Sequence, residues 1–430
     1  MNVVGIIAEY NPFHQGHAYQ IEALKKICHA EHVVIAMSGN FVQRGAPALM
    51  EKYSRAAMAL NCGADLVLEL PALFATASAE AFARGGVFLL DCTGIVTHLG
   101  FGAETADMQL LSKLSRILLA QPSSYLESLQ KSLRNGRSFP AARADALNAY
   151  FKNSTASRET AFHGPNVSGD CFDKILASPN NILALEYLKA LADLSSPMLP
   201  IPILRQGSGY HDTELGSGFC SASAIRTHVK KELSSQTGHG NMHLNIPASA
   251  MPKTALDILE HYPHPFLFED DYSSLLHYEL LNGDAESFSA WGGSSAELAC
   301  RLQNECKDFT DWTGFCHHMK TRNMTYARIS RLFTHMLLHI TKRDYETIPL
   351  PSYLRILGFR NSAAPLLSAM KSHCRLPIIT RPAKAMQRLT KQEQRLLSID
   401  LRATDLYRLG LAAKGDYSLE YDFRRQILRI

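Results

Sequence analysis

The chain has 430 residues, 46% hydrophobic and 20% charged, and carries a net charge of +4. At roughly 150 residues per domain, that suggests two or three domains of an ordinary soluble globular protein. There is no apolar run of ~18 residues to cross a membrane and no basic-then-apolar leader, and the net charge is too small to argue nucleic-acid binding by itself.

Nine cysteines, none in a C-x-x-C pair, support neither a zinc ribbon nor a redox couple. Reduced thiols in the cytoplasm are the expectation. Val3, Val4, Gly5, Ile6, Ile7 and Ala8 form a β-branched run that reads as a buried strand. It leads through Glu9, Tyr10, Asn11, Pro12, Phe13, His14, Gln15, Gly16 and His17 into a helical pattern marked by Ala18, Ile21, Leu24, Ile27 and Cys28. A turn carrying His-x-Gly-His therefore separates a strand from a helix N-terminus. The first N–H groups of a helix lack intrahelical partners and its dipole is positive there, so the place suits an anion. Gly16 removes a side chain where a phosphate needs close approach to the backbone. His14 and His17 can donate hydrogen bonds to phosphoryl oxygens. A pair of capping or surface histidines is the plain alternative; the strand–turn–helix context favours the phosphate reading.

His32–Met37 reads as a second strand, ending in a polar loop from Ser38 to Pro47. In that loop Arg44 fits a solvated charge and an anion contact equally well. Asp65–Pro71 is a third strand. Gly94–Leu99 is a fourth, running into Gly100, Phe101 and Gly102 as a second glycine turn. Strands alternating with helices over residues 1–105 argue for an α/β fold, a Rossmann-like doubly wound parallel sheet. Such sheets take ligands at the carboxyl ends of their strands. Residues 107–150 read as helices, and Lys152–Ala177 as a loop or insertion. Pro179, Asn180 and Asn181 start a further helix, where Asn180 serves as a cap or contacts a ribose or base.

Pro200–Arg205 reads as a fifth strand, with a loop from Gly207 to Asp212 beyond it. Ser221, Ser223 and Arg226 then put two hydroxyls and a guanidinium at a helix start, a second phosphate-type site. A stretch rich in Ser, Gly, His, Asn and Pro over 234–252 marks a boundary. It divides 1–235 from a mostly helical 253–430. There Lys320, Arg322, Arg328 and Arg331 gather around Tyr326, as a solvated helix face or a nucleic-acid contact. Cys316, His317 and His318 lack a second ligand pair and read as structural, so no metal site is expected.

The His14–His17 turn and the Ser221–Arg226 helix start resemble the paired motifs of the nucleotidyltransferase superfamily, an H-x-G-H turn and a later I-S-S-T-x-I-R-like segment. Cys220, Ala222 and Ser223 stand here for Ile, Ser and Thr. More closely, the chain resembles the tRNA(Met) cytidine acetate ligase family over nearly its whole length. The resemblance is carried by Ala8–His14, Met37–Phe41, Gln43–Gly45, Asp65–Pro71, Ser178–Leu183, Tyr210–Asp212 and Ser221–Arg226.

That resemblance implies an ATP-dependent ligase that activates acetate as acetyl adenylate. It then acetylates the exocyclic amine of the wobble cytidine of elongator methionine tRNA, forming 4-acetylcytidine. ATP contacts are implied from Ile7, Ala8, Glu9, Tyr10, Asn11, Pro12, Phe13, His14, Gln15, Gly16, His17, Ala18, Tyr19 and Gln20, and from Gly102, Asn180 and Arg205. Ser221 and Ser223 are expected to close the far side of the pocket. His14, His17 and Arg226 are the expected catalytic groups, with Mg²⁺ accompanying the phosphates. Lys320, Arg322, Arg328 and Arg331 are the candidates for tRNA. No membrane and no protein partner is inferred.

One rival is a small-molecule adenylyltransferase, which leaves the helical half unexplained. Another is a non-catalytic RNA-binding protein with a relic nucleotide pocket, against which the intact His14, Gly16, His17 and Arg226 argue. An aminoacyl-tRNA synthetase is disfavoured because no K-M-S-K-S-like loop is present.

Overall fold

A computed structural model describes residues 1–137, 139–154, 169–205, 219–235 and 244–430. Its strands are β1 (Val3–Ala8), β2 (His32–Ser38), β3 (Phe41–Val42), β4 (Ala46–Pro47), β5 (Leu66–Leu70), β6 (His98–Ala103), β7 (Leu199–Leu204), β8 (Leu354–Phe359), β9 (Ile378–Ile379) and β10 (Leu428–Arg429). The main sheet has the order β10-β8-β5-β2-β1-β6-β7, with β9 also paired to β8, while β3 and β4 form a separate hairpin. β5, β2, β1, β6 and β7 run parallel; β8 enters antiparallel to β5. Sequence order turns around at β1, with β2 on one side and β6 on the other. A crevice therefore opens at the carboxyl ends, where α/β sheets bind ligands.

Apolar side chains alternate between the two faces of the sheet, as the pleat requires. Val3, Ile7, Val34, Ala36, Leu66 and Leu68 enter one core. Val4, Ile6, Val33, Ile35, Met37 and Val67 enter the other. Helices α1 (Gln15–Ile27) and α2 (Lys52–Asn61) cover the second core with Ile21, Leu24, Ala56 and Leu60. The first core continues from the sheet into Trp312, Phe333, Met336 and Leu396 of the C-terminal helices. Among the described residues, no helix is long and apolar enough to cross a membrane.

Two local expectations are corrected, and a third gains detail. Gly100 and Gly102 do not form a turn: both lie within β6, where Gly100 pairs with Ile6 and Ile201. A Cβ on Gly100 would stand 2.3 Å from Leu24, so the glycine admits α1 against the sheet. Within 152–177, Gly169–Ala177 is helical and 155–168 lies outside the described residues. The segment 253–430, though mostly helical, returns to the sheet through β8, β9 and β10. At the opposite edge, β7 donates to β6 from Leu199, and Arg205 just beyond it donates from the same parity. Pro200 and Pro202 have the other parity, so the missing N–H groups fall on the outward side.

β8 is tied to the sheet by charge as well as by its ladder. Lys52, Glu69, Arg355 and Asp422 are each no more than 3% exposed. Lys52 Nζ lies 2.8 Å from Glu69 and 2.7 Å from Asp422; Arg355 lies 3.0 Å from Glu69 and 2.8 Å from Asp422. Thr404 donates to Asp422 at 2.8 Å, and Arg355 donates to Tyr53 Oη at 3.2 Å. Two cations and two anions neutralise one another, and the remaining lone pairs and protons have partners.

Removing one member leaves a buried charge uncompensated, which costs about 3–5 kcal/mol. Asp422→Ala is therefore expected to lose that much stability in denaturant unfolding. The neighbouring Arg355 and Lys52 hold the Asp422 carboxyl below its ordinary value despite burial. That stabilisation is fully present above the unfolded pKa of about 4, begins to fall below it, and is lost as pH falls through the lower folded-state pKa. The gap between wild type and Asp422→Ala should accordingly close on acidification below about pH 4, measured by melting temperature.

Candidate active site

β1 ends at Ala8, and Glu9–His14 turn the chain into α1. Tyr10 takes φ +47° and the Asn11–Pro12 peptide is cis. The turn is anchored from several sides. Asn11 Oδ1 accepts the Leu49 N–H at 2.7 Å, and Gln15 N–H donates to Ala250 O at 2.9 Å. Glu9 Oε1 accepts the Gln43 N–H at 2.9 Å. The buried Arg55 guanidinium gathers the carbonyls of Glu9 and Ser38, 2.5 and 3.1 Å away, and that of Gly39. The carboxyl ends of β1 and β2 are thus fixed by one cation.

His14 is the N-cap of α1. Its Nδ1 accepts the Gly16 N–H at 3.1 Å, and the His14 N–H donates to His17 Nδ1 at 3.2 Å. The two rings stack with centroids 3.6 Å apart. Because each Nδ1 accepts, each neutral ring carries its proton on Nε2. Burial, with Arg205 and Arg226 nearby, lowers His14 to about 3. Burial, His14 and Arg205 hold His17 well below its ordinary value. Both rings are therefore neutral near pH 7, and each is left with one N–H donor. A Cβ on Gly16 would stand 2.9 Å from His14 Cε1, so the glycine makes room for the imidazole itself.

The two histidines line a cleft together with Gly16, Tyr19, Gln20, Gly102, Ile203, Leu204, Arg205, Phe219, Cys220 and Ser221. Arg226 comes from the helix Ala222–Ser235. It donates to Asn11 O at 2.6 Å and to Ser223 Oγ at 3.1 Å. The far segment thus grips the histidine turn directly. Ser221 Oγ accepts the Ala224 N–H at 3.1 Å as a cap. Arg205 reaches Asn180 at 3.4 Å, and Asn180 is held in turn by Glu104 at 2.6 Å. The structure therefore brings His14, Gly16, His17, Tyr19, Gln20, Gly102, Arg205 and Ser221 to one cleft, with Ser223, Arg226 and Asn180 attached to it.

Other residues of 7–20 point elsewhere. Ile7, Tyr10 and Phe13 are core side chains, and Ala18 packs against the core. Ala8 ends β1, Pro12 is buried in the turn, and Glu9 and Gln15 serve as anchors. Tyr210–Asp212 lie outside the described residues. Phe219, with its ring 5.6 Å from that of Tyr19, escaped the sequence reading. The only signal was an aromatic residue just before the Ser221 cap. Glu104 was also missed; its role shows only through Asn180.

Lys320 follows the helix Trp312–Met319, and Arg322 lies in the loop beyond; both are exposed. Arg328 and Arg331 are half-buried on the helix Tyr326–Leu338. This group does not line the cleft. Among the described residues, none of the four forms an ion pair.

The geometry agrees with known relatives. The model of HIGH nucleotidyl transferases matches residues 1–421. The tRNA(Met) cytidine acetate ligase of Acetivibrio thermocellus is 36% identical over 95% of this chain and 94% of its own length. That of Clostridium kluyveri is 34% identical over 97% and 98%. Two crystal structures of Thermotoga maritima TmcAL, each 30% identical with full coverage of both chains, superpose with TM-scores of 0.90 for the apo form and 0.85 for the form bound with alpha-thio ATP. Strand, histidine turn, second helix start and full-length similarity agree: the chain belongs to the tRNA(Met) cytidine acetate ligase family of HIGH nucleotidyl transferases.

Proposed function

We propose that this enzyme joins acetate to the wobble cytidine of elongator methionine tRNA in two steps at the cleft between β1, β6 and β7, working in the cytoplasm. The observation that carries this reading is the bond from Arg226 to Asn11 O, which joins two anion-suited helix starts into one pocket. An acetate oxygen attacks the α-phosphorus of ATP and pyrophosphate leaves. The cytidine amine then attacks the acyl carbon, AMP leaves, and the amine gives up a proton.

His14, His17 and Arg226 supply fixed donors for charge growing on the phosphoryl oxygens. Neutral imidazoles suit this role because their one free proton is fixed on Nε2. Arg205, Gly102, Asn180, Ser221 and Ser223 hold the nucleotide with His14, Gly16, His17, Tyr19 and Gln20, the cleft-lining part of the 7–20 segment whose other residues build the turn. Among the described residues lining the cleft there is no carboxylate. Mg²⁺ arriving with ATP would be held largely by phosphates and water, and would offset phosphate charge. Lys320, Arg322, Arg328 and Arg331 bind the tRNA backbone. The test is incubation with ATP, labelled acetate and total tRNA, omitting each in turn, followed by nucleoside analysis. Acetylcytidine that forms without ATP or acetate would overturn the reading.

His17→Ala removes a donor and one arm of the α1 cap. Acetate-dependent exchange of pyrophosphate into ATP is expected to fall at least ~100-fold, with only about 1 kcal/mol lost in stability. Exchange at the wild-type rate in a folded variant would remove His17 from the mechanism. By nitrogen-detected NMR, His14 and His17 should show no imidazolium form between pH 5 and 8. A transition near pH 6.5 at either ring would contradict the neutral-donor role.

Arg328→Ala with Arg331→Ala is expected to weaken tRNA binding and lower its salt slope by roughly 1.5, at ~0.7–0.9 per phosphate contact. Pyrophosphate exchange, which needs no tRNA, serves as the internal control. Lower melting temperature with normal tRNA affinity would make these arginines packing residues.

A further inference from the structure

We propose that Arg44, at the tip of the β3–β4 hairpin, grips an RNA phosphate beside the acceptor cytidine and so positions that nucleotide over the cleft. This rests on the reading of the protein as a tRNA-acetylating ligase. The hairpin is short: Phe41 pairs with Pro47 and Val42 with Ala46, and the Gly45 N–H closes it on Val42 O at 2.9 Å.

Both neighbours of Arg44 are tied down. On one side the Gln43 N–H donates to Glu9 at the end of β1, and Gln43 Nε2 donates to Ala77 O at 3.3 Å. On the other side Gly45, at φ +75°, lies against the helix that carries Arg328 and Arg331. A Cβ there would stand 2.2 Å from Arg331 N, and Ser330 Oγ donates to Gly45 O at 2.5 Å. Trp312 Nε1 donates to the same Ser330 hydroxyl at 2.9 Å.

The side chain of Arg44 is exposed, yet its backbone is locked between the histidine turn and the basic helix. Its neighbour Gln43 is bonded to Glu9, the residue that opens the histidine turn, and besides partial burial the charges of Glu9, Arg226 and Glu269 act on the Arg44 guanidinium. Arg331 in turn feels Arg328. The hairpin tip thus bridges the histidine turn, through Gln43 and Glu9, and the basic helix, through Gly45 and the Arg331 backbone. A polyanion that runs from the cleft to that helix gains from each cation along its way. An acceptor base drawn from its loop must carry its own phosphates past the hairpin tip. A guanidinium carried on a backbone fixed there binds a phosphate oxygen pair through its fork while ordering only its own side chain.

The test compares Arg44→Ala and Arg44→Lys with wild type in three measurements: tRNA affinity against salt, kcat/KM for tRNA, and the acetate KM in pyrophosphate exchange. Arg44→Ala is expected to cut kcat/KM for tRNA at least tenfold and to lower the salt slope by about 0.7–1, one phosphate contact. Arg44→Lys should recover the salt slope but only part of kcat/KM, because an ammonium lacks the fork; it also serves should the alanine variant fail to fold. A raised acetate KM with unchanged tRNA affinity would overturn the proposal and make Arg44 the acyl carboxylate's partner. Variants equal to wild type in all three would overturn it outright. Wild-type enzyme that leaves tRNA unacetylated would instead overturn the underlying reading.

Discussion

Lys52, Glu69, Arg355 and Asp422 meet where water is excluded, and much of the structure follows from keeping them together. Each comes from a different element: the start of α2, the end of β5, the start of β8 and the C-terminal tail. Taking charges out of water costs several kcal/mol each, so the arrangement survives only if all four arrive in register. The cluster also shapes the loop after β2. A Cβ on Gly39 would stand 2.6 Å from Glu69, and Asn40 accepts the Lys52 N–H while donating to Thr404. That loop leads into the β3–β4 hairpin. The C-terminal tail therefore helps to set the geometry beside the cleft, although it lies more than three hundred residues away in sequence.

At the cleft the same atoms serve local structure and chemistry. His14 caps α1 and His17 completes the cap, and this fixes the tautomer that leaves each Nε2–H available. A serine or aspartate in place of His14 would cap the helix as well, but would supply no imidazole donor. Burial, with Arg205 near both rings and Arg226 near His14, then keeps them uncharged. The fold realises the capping reading of the two histidines, and the Nε2–H donors it leaves are those the proposed phosphate role requires.

The sequence made the parallel sheet readable because β1, β2 and β5 are short apolar runs, each followed by a helical pattern, and period and length separate the two. It also put the histidine turn and the Ser221 helix start at strand-to-helix junctions, where the structure joins them. β6 was misplaced because two glycines resemble a turn when the only visible cue is local. Their reason, the approach of Leu24, is a contact between distant segments. β8 was hidden among helices because its place beside β5 is fixed by partners far along the chain. The four-charge cluster was invisible for the same reason: Lys52, Glu69, Arg355 and Asp422 each look like an ordinary surface charge in sequence. Arg44 was noticed, but nothing local showed that both its neighbours are tied down, Gln43 to Glu9 and Gly45 against Arg331.

The two prolines of β7 have a consequence for how the molecule behaves among its own copies. A sheet edge with a regular row of outward N–H groups is a template on which another chain can lay a strand. In β7 the residues that would donate outward at the centre are Pro200 and Pro202, so an incoming strand meets carbonyls without the matching donors. Leu199 and Leu204 are exposed on this strand and would otherwise make it adhesive. The protein can thus keep an apolar edge strand beside its nucleotide cleft without that strand nucleating intermolecular β-structure in a crowded solution.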